Sequence, residues 1–301
     1  MELGMVGLGR MGGNMSARLV KAGHRVVGYA RHKEVVDQAV STGVVGAYTY
    51  SDLVKQLKTP RAVWLMVPAG APTDEALDAL LPLLSPGDVI LDGGNSYYKD
   101  TLVRAGKVTA HGFRFLDVGT SGGIWGLTEG YSMMIGGDAA DVDRLRPIFE
   151  ALAPAPDAGW GRVGPTGSGH FVKMVHNGIE YGLMESYAEG FAILAAKSEY
   201  ALDLAQVSKI WQRGSVVRSW LLDLTAAALA DPVGLAQIAP VVQDSGEGRW
   251  TAVESLDLNV SAPVILMSLE RRIRSREKDP LAEKLLSAMR QRFGGHAITT
   301  E

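Results

Sequence analysis

The first half of the chain alternates short apolar runs with stretches of helical period, and the second half keeps only the helical period. Leu3 to Leu8, Arg25 to Tyr29, Ala62 to Val67, Asp88 to Asp92, Phe115 to Val118 and Tyr131 to Ile135 read as strands. Short continuous apolar runs bounded by glycine, proline or charge suit strands covered on both faces. With helices between them, beginning with about Met11 to Ala22, they predict an α/β domain over residues 1–163 built on a doubly wound parallel sheet. From Gly164 onward, helices are expected over Ser168 to Lys197, Leu202 to Gln212, Val216 to Ala230, Pro263 to Arg276 and Leu281 to Arg292. Pro232, Pro240 and the Ser245-Gly246-Glu247-Gly248 turn punctuate them. Residues 164–301 therefore read as an all-α domain with a long central helix, and no internal repeat is present.

The long helix carries the most informative segment, Gly169 to Tyr181. At about 100° per residue, Lys173, His176, Asn177 and Glu180 fall on one narrow strip. Val172, Met174, Val175, Ile179 and Leu183 cover most of the remaining circumference, so the helix is expected to be buried and the strip to face a pocket. A solvated polar face is the ordinary reading of such spacing, and the apolar flanks weigh against it here.

The first strand runs into Gly7-Leu8-Gly9-Arg10-Met11-Gly12, a GxGxxG between strand and helix, as in a Rossmann-type domain. Gly7 permits the tight turn, Gly9 lets the backbone approach a pyrophosphate, and Gly12 lets the helix pack on the strand. The helix N-terminus brings partial positive charge to the phosphates. Gly7, Leu8, Gly9, Arg10, Met11 and Gly12 are thus candidate dinucleotide contacts. The second strand ends at Ala30-Arg31-His32, where NAD-binding domains place an acidic residue on the ribose, and no carboxylate is present. Arg31 suits a 2′-phosphate, so NADP is favoured and NAD stays possible.

Composition narrows the class. The 301 residues exceed one ordinary domain, and a 47% hydrophobic content is ample for two cores. The net charge of −3 gives no field for nucleic acid, so an anionic substrate must rely on local arginines. With no cysteine, disulfides, thiolate catalysis and thiolate-held metals are excluded; no metal is expected. No apolar run reaches membrane-spanning length and Met1 leads directly into a strand, so a cytoplasmic protein without a secretory leader is expected. The ends of the later strands carry Val67-Pro68-Ala69-Gly70, Asp92-Gly93-Gly94-Asn95-Ser96 and Gly119-Thr120-Ser121-Gly122-Gly123, at the edge where ligands sit in such sheets. Their backbone N–H groups can receive a carboxylate.

The chain resembles the decarboxylating 6-phosphogluconate dehydrogenases in their short form. The resemblance rests on Gly7 to Asn14, Gly93-Gly94-Asn95-Ser96, Ser121-Gly122-Gly123, Gly169 to Tyr181, Gly248-Arg249-Trp250-Thr251 and Phe293-Gly294-Gly295-His296, and it spans essentially the whole chain. It implies oxidation of 6-phosphogluconate at C3, loss of C1 as CO₂ and release of ribulose 5-phosphate with reduced nicotinamide. Lys173 is then the base at the C3 hydroxyl, since burial disfavours the charged form of an amine, and Glu180 is the acid that protonates the enediol. Asn95, His176 and Asn177 resemble groups orienting the sugar and nicotinamide, and Ser121, Gly122 and Gly123 the loop receiving the carboxylate. Val67, Pro68 and Ala69 join the cofactor contacts. The resemblance assigns the phosphate to Tyr181 and Arg272, with Arg290 and His296 supplied by the tail of a neighbouring subunit. On the residues alone, Arg272 reads equally as part of a solvated basic run, Arg271 to Arg276.

Two departures matter. Ser245 and Glu247 stand where the long form has a phosphate-contacting lysine and threonine, and a glutamate there would repel phosphate, so either the local phosphate contacts or the substrate is expected to differ. The second set of helices of the long form is missing, which implies a homo-oligomer, dimer or tetramer. The alternatives are a 3-hydroxyisobutyrate-type dehydrogenase acting without decarboxylation, which needs neither Glu180 nor a phosphate clamp, and a non-catalytic dinucleotide-binding protein.

Overall fold

The computed structural model describes residues 1–299. Two compact units divide the chain, Met1–Asn177 and Gly178–Glu301.

In the first unit the strands are β1 (Glu2–Val6), β2 (Arg25–Tyr29), β3 (Val45–Ala47), β4 (Ala62–Leu65), β5 (Val89–Asp92), β6 (Arg114–Ser121), β7 (Ser132–Gly136) and β8 (Trp160–Gly164). The helices are α1 (Arg10–Lys21), α2 (Lys33–Val40), α3 (Tyr50–Lys55), α4 (Ala71–Leu80), α5 (Tyr98–Ala110), α6 (Gly126–Glu129), α7 (Ala139–Leu152) and the start of α8 (Ser168–Ala196). The strands form one sheet in the order β3-β2-β1-β4-β5-β6-β7-β8. Residues alternate between its faces: Leu3, Met5, Trp64, Leu91 and Leu116 enter one core, while Val6, Val27, Leu65, Ile90 and Phe115 enter the other. Helices cover both faces, which is why the strands read as continuous apolar runs. Truncating one such side chain, as in Leu91→Ala, would cost roughly 2–5 kcal/mol.

The sheet is parallel from β3 to β6, but β7 runs antiparallel to β6, with Asp117 opposite Gly136. The sheet expected as parallel is thus mostly parallel, with one antiparallel pair. Residues 122–131 between the two strands are fewer than the dozen or so that a parallel crossover needs. Two strands were not expected: β3 has three residues, and β8 carries two glycines in five, so neither gives an apolar run. The first strand ends at Val6 and not at Leu8, because Gly7 turns out of the sheet at φ +96°.

The second unit continues α8 and adds α9 (Leu204–Trp211), α10 (Trp220–Leu229), α11 (Pro232–Ala236), α12 (Glu247–Asp257), α13 (Pro263–Arg274) and α14 (Leu281–Gly294). Capping residues mark several starts: Asp203, Ser219 and Asp231 accept the N–H groups of Gln206, Leu222 and Gly234. Helix α12 was not expected, because its opening residues read as a turn. Gly246 at φ +109° makes that turn, and the helix begins immediately after it at Glu247. The apolar collar expected around α8 is only partial. Met174 is buried, whereas Ile179 and Leu183 are 53% and 44% exposed. No helix of the described residues is long and apolar enough to cross a membrane.

Candidate active site

The turn after β1 is shaped by contacts that exclude side chains. A methyl on Gly7 would strike the Met66 carbonyl, and one on Gly12 would strike the Gly7 carbonyl, so α1 starts in close contact with the turn. Gly9, the N-cap of α1, instead faces open space, and no side chain caps the helix there. Its first N–H groups therefore point out of the turn without a capping partner, a fit for a diphosphate. At the end of β2, Ala30 is half-buried while Arg31 and His32 are exposed. Among the described residues no hydrogen bond or ion pair engages the Arg31 side chain.

Strand direction brings the other glycine-rich loops to the same edge of the sheet. Buried Asp92 shapes the loop after β5, accepting the Gly94 N–H at 3.0 Å and the Ser96 hydroxyl at 2.9 Å, which leaves Asn95 exposed between them. After β6, Gly122 and Gly123 take φ +134° and +51°, and the Gly122 carbonyl accepts the N–H groups of Trp125 and Gly126. Val67 is half-buried, and Pro68 and Ala69 are exposed.

Helix α8 starts against β6 and β7. A methyl on Gly169 would lie 2.5 Å from the carbonyls of Asp117 and Met134, and one on Gly119 would collide with Cβ of Lys173. The buried Asp117 carboxylate accepts the Gly167 N–H at 2.6 Å and the His170 N–H at 2.9 Å. Charge-assisted bonds of this kind are worth about 1.5–3 kcal/mol each, and the carboxylate also meets the positive end of the helix dipole. Lys173 is consequently held beside the end of β6, and it is only 8% exposed. Its Nζ lies 3.5 Å from His176 Nδ1, which lies 3.0 Å from Asn177 Oδ1.

The second unit holds its own polar cluster. Tyr181 is buried, Gly248 lies against its ring, and the Arg272 guanidinium carbon stands 3.5 Å from the ring centre. The Tyr181 hydroxyl accepts the Ser245 N–H at 3.3 Å, and the Ser245 hydroxyl donates to Glu247 at 2.6 Å. Glu247 is buried, 3% exposed, so its carboxylate is turned inward and occupied. Arg272 also donates to the Gln243 carbonyl at 2.9 Å. Glu180 is half-buried, two turns from Lys173 along α8.

Residues 2–161 match the NAD binding domain of 6-phosphogluconate dehydrogenase, and residues 169–284 match the 6-phosphogluconate dehydrogenase C-terminal domain. The chain belongs to the 6-phosphogluconate dehydrogenase family. It is 41% identical over 297 residues to the putative 6-phosphogluconate dehydrogenase YqeC of Bacillus subtilis, covering 99% of each chain. It is 43% identical over 299 residues to the NAD(+)-dependent, decarboxylating 6-phosphogluconate dehydrogenase of Haloferax volcanii, covering 99% of this chain and 98% of that one. The solved structure of Plasmodium falciparum 6-phosphogluconate dehydrogenase, described in its apo form, with its cofactor NADP+ and with its substrate 6-phosphogluconate, superposes with a TM-score of 0.85 at 29% identity. That match covers all of this chain and 66% of the Plasmodium chain.

Within each unit the expected residues gather in part. The GxGxxG turn, Val67 to Ala69, Asn95 and Ser121 to Gly123 lie at the carboxyl edge of the sheet, Lys173 stands beside Gly119 of β6, and His176 and Asn177 follow on α8. Tyr181 and Arg272 stack in the helical unit. Arg290 lies in α14, and exposed His296 follows it; among the described residues no hydrogen bond or ion pair joins either to the Tyr181 cluster. Sequence reasoning missed the shaping roles of Asp92 and Asp117. Asp92 had a local signal, a carboxylate two and four residues before Gly94 and Ser96; Asp117 had none.

Proposed function

We propose that this chain oxidises and decarboxylates 6-phosphogluconate, forming ribulose 5-phosphate and CO₂ with reduction of a nicotinamide dinucleotide. The observation that carries the reading is Lys173, a buried amine held at the carboxyl edge of a dinucleotide-binding sheet with His176 and Asn177 beside it. In this reading residues 1–163 bind the dinucleotide, and residues 164–301 form the helical substrate-binding and oligomerisation domain. A cytoplasmic setting belongs to the same reading.

The residues that would hold the cofactor are Gly7, Leu8, Gly9, Arg10, Met11 and Gly12 at the diphosphate, Ala30, Arg31 and His32 at the adenosine end, and Val67, Pro68, Ala69 and Asn95 towards the nicotinamide. When bound, the oxidised nicotinamide accepts a hydride. NADP is the preferred form, a reading supported by exposed Arg31 and by the absence of a carboxylate at Ala30-Arg31-His32.

Lys173 removes the proton of the C3 hydroxyl as the hydride leaves C3. The ammonium so formed then polarises the C3 ketone. The C1–C2 bond breaks, CO₂ leaves, and its electron pair flows towards the C3 oxygen, which takes the proton back from Lys173. Glu180 protonates the carbon that becomes C1 of ribulose 5-phosphate, and the enediol collapses to the ketone as Lys173 takes the proton of the adjoining hydroxyl. Ser121, Gly122 and Gly123 receive the carboxylate, while Asn95, His176 and Asn177 orient the hydroxyls. Tyr181 and Arg272 take the phosphate, and a planar guanidinium suits that anion.

A homo-oligomer completes the site in this reading, with Arg290 and His296 reaching a neighbour's phosphate. Support comes from the unpartnered apolar surface of the helical unit. Ile193, Ile210, Leu256 and Val264 are each more than 60% exposed, and Leu183, Tyr187, Phe191, Trp211 and Val216 line a cavity of about 530 Å³. Light scattering, together with truncation before Arg290, tests this: a monomer, or an unchanged KM after truncation, counts against it.

The decisive experiment follows nicotinamide reduction and CO₂ release together, with 6-phosphogluconate and with NADP or NAD. Matched stoichiometry is expected. Reduction without CO₂, or with unphosphorylated 3-hydroxyacids alone, would transfer the chain to a non-decarboxylating chemistry.

A further inference from the structure

Asp117 is fully buried, and among the described residues no cation pairs with it. Such a carboxylate costs stability that an apolar residue would not, so its retention calls for a geometric reason. Its two oxygens supply that reason by accepting separate N–H groups, from Gly167 and His170, at the opening of α8. The sheet makes room for it. Gly136 is its register partner on β7, and a methyl there would lie 2.5 Å from Asp117 Oδ1. Lys173 comes three residues after His170, and Ser121 four residues after Asp117, so one side chain links the helix that carries the amine to the strand that ends in the Ser121-Gly122-Gly123 loop.

His170 makes a second link. The Thr101 hydroxyl lies 3.2 Å from the Tyr97 carbonyl and 2.7 Å from His170 Nδ1, so it hydrogen-bonds the imidazole of α8 to α5. The imidazole is thereby held against α5, and its Nε2 is buried with no hydrogen-bond partner among the described residues. Thr101 lies on α5, which begins three residues after Asn95. Phe171 supports the same junction, edge-on to Tyr98 with ring centres 5.2 Å apart.

We propose that Asp117 and His170 are positioning residues of the reaction, holding Lys173 in register with the Ser121-Gly122-Gly123 loop and the Asn95 loop through the first turn of α8. The inference rests on the reading of Lys173 as the base. Neither residue touches the turn that would hold the diphosphate, so their loss would disturb the chemical step and spare dinucleotide binding.

The test uses the full-length protein with Asp117→Asn and, separately, Thr101→Val. The asparagine amide can accept only one of the two N–H groups and sets a donor against the other. The valine has nearly the same shape as threonine and removes only the hydroxyl that bonds His170. Each variant is assayed for kcat, for KM, for dinucleotide affinity by fluorescence titration, and for the rate and pH profile of Lys173 modification by trinitrobenzenesulfonate, read by mass spectrometry. The expected result is a kcat lowered by at least about tenfold, dinucleotide affinity within about twofold, and an altered Lys173 profile against unchanged surface lysines. Wild-type kcat per folded molecule with an unaltered Lys173 profile overturns the proposal, even if the melting temperature falls. If Asp117→Asn does not fold, Thr101→Val decides by the same criteria. If the wild-type protein does not oxidise 6-phosphogluconate, the substrate reading fails by itself, and the Lys173 profiles still decide the positioning.

Discussion

The Arg272 guanidinium carbon stands over the Tyr181 ring, 3.5 Å from its centre, although the two residues come from different helices of the C-terminal unit. The ring contact and the 2.9 Å bond to the Gln243 carbonyl together restrain the guanidinium. A solvated arginine in the run Arg271 to Arg276 would have neither restraint.

Arg272→Lys should therefore act as more than a conservative change. It keeps the charge and loses both the stack and the planar fork, so the KM for 6-phosphogluconate is expected to rise roughly tenfold or more while kcat moves less. Steady-state kinetics check this, and an unchanged KM would remove Arg272 from the phosphate site.

Lys173→Met should abolish the chemical step. The loss expected for a missing general base is roughly 10²- to 10⁴-fold in kcat, with dinucleotide affinity retained, because the GxGxxG turn is untouched. Fluorescence titration and turnover measured on the same preparation separate the two. Simultaneous loss of binding would mean that the fold had failed instead.

Glu180→Gln should separate oxidation from product formation. Its half-buried position two turns from Lys173 suits a donor that acts after CO₂ has left. In rapid-mixing experiments nicotinamide reduction is expected to persist in the first turnover while ribulose 5-phosphate appears roughly a hundredfold more slowly. Equal slowing of both steps would assign the acid role elsewhere.

Arg31→Ala tests the cofactor reading. Removal of an exposed guanidinium should raise the KM for NADP roughly tenfold or more and leave that for NAD nearly unchanged, since only the former carries the 2′-phosphate. A parallel loss with both dinucleotides would place Arg31 at the adenine and not at the phosphate.

Tyr131 supplies a pH dependence of stability. Its side chain is fully buried, its hydroxyl has no hydrogen-bond partner among the described residues, and burial pushes the phenol up to about 12. From about pH 10 upward the unfolded chain loses a proton that the native chain keeps, so this contribution to stability falls as pH rises towards about 12. Urea midpoints at about pH 9 and about pH 11 should therefore converge in Tyr131→Phe relative to the wild type. At neutral pH that variant should be neutral or slightly more stabilising, because an unpaired hydroxyl leaves the core. Identical slopes in both proteins would refute the assignment.

What the sequence determined by itself is whatever depends on neighbours along the chain. The strip Lys173, His176, Asn177 and Glu180 follows from helical spacing alone, and the Gly7 to Gly12 turn follows from a run of six residues between an apolar strand and a helix. Continuous apolar runs announced strands buried on both faces, because covering both faces removes any alternation of polar residues. Tertiary structure decided the rest, and it did so where partners are distant. Asp117 meets Gly136 across an antiparallel pair and the helix N–H groups some fifty positions away, a pairing that no local pattern encodes. Glu247 reads as an exposed acid in a glycine turn, but it opens α12 and turns inward to Ser245, because Gly246 reverses the backbone one residue earlier. Arg272 is indistinguishable from Arg271 and Arg274 in the sequence; only the packing of α13 against α8 puts one of the three on an aromatic ring. Local periodicity is written in covalent spacing, whereas the environment of a charge is set by chain segments that meet only after folding.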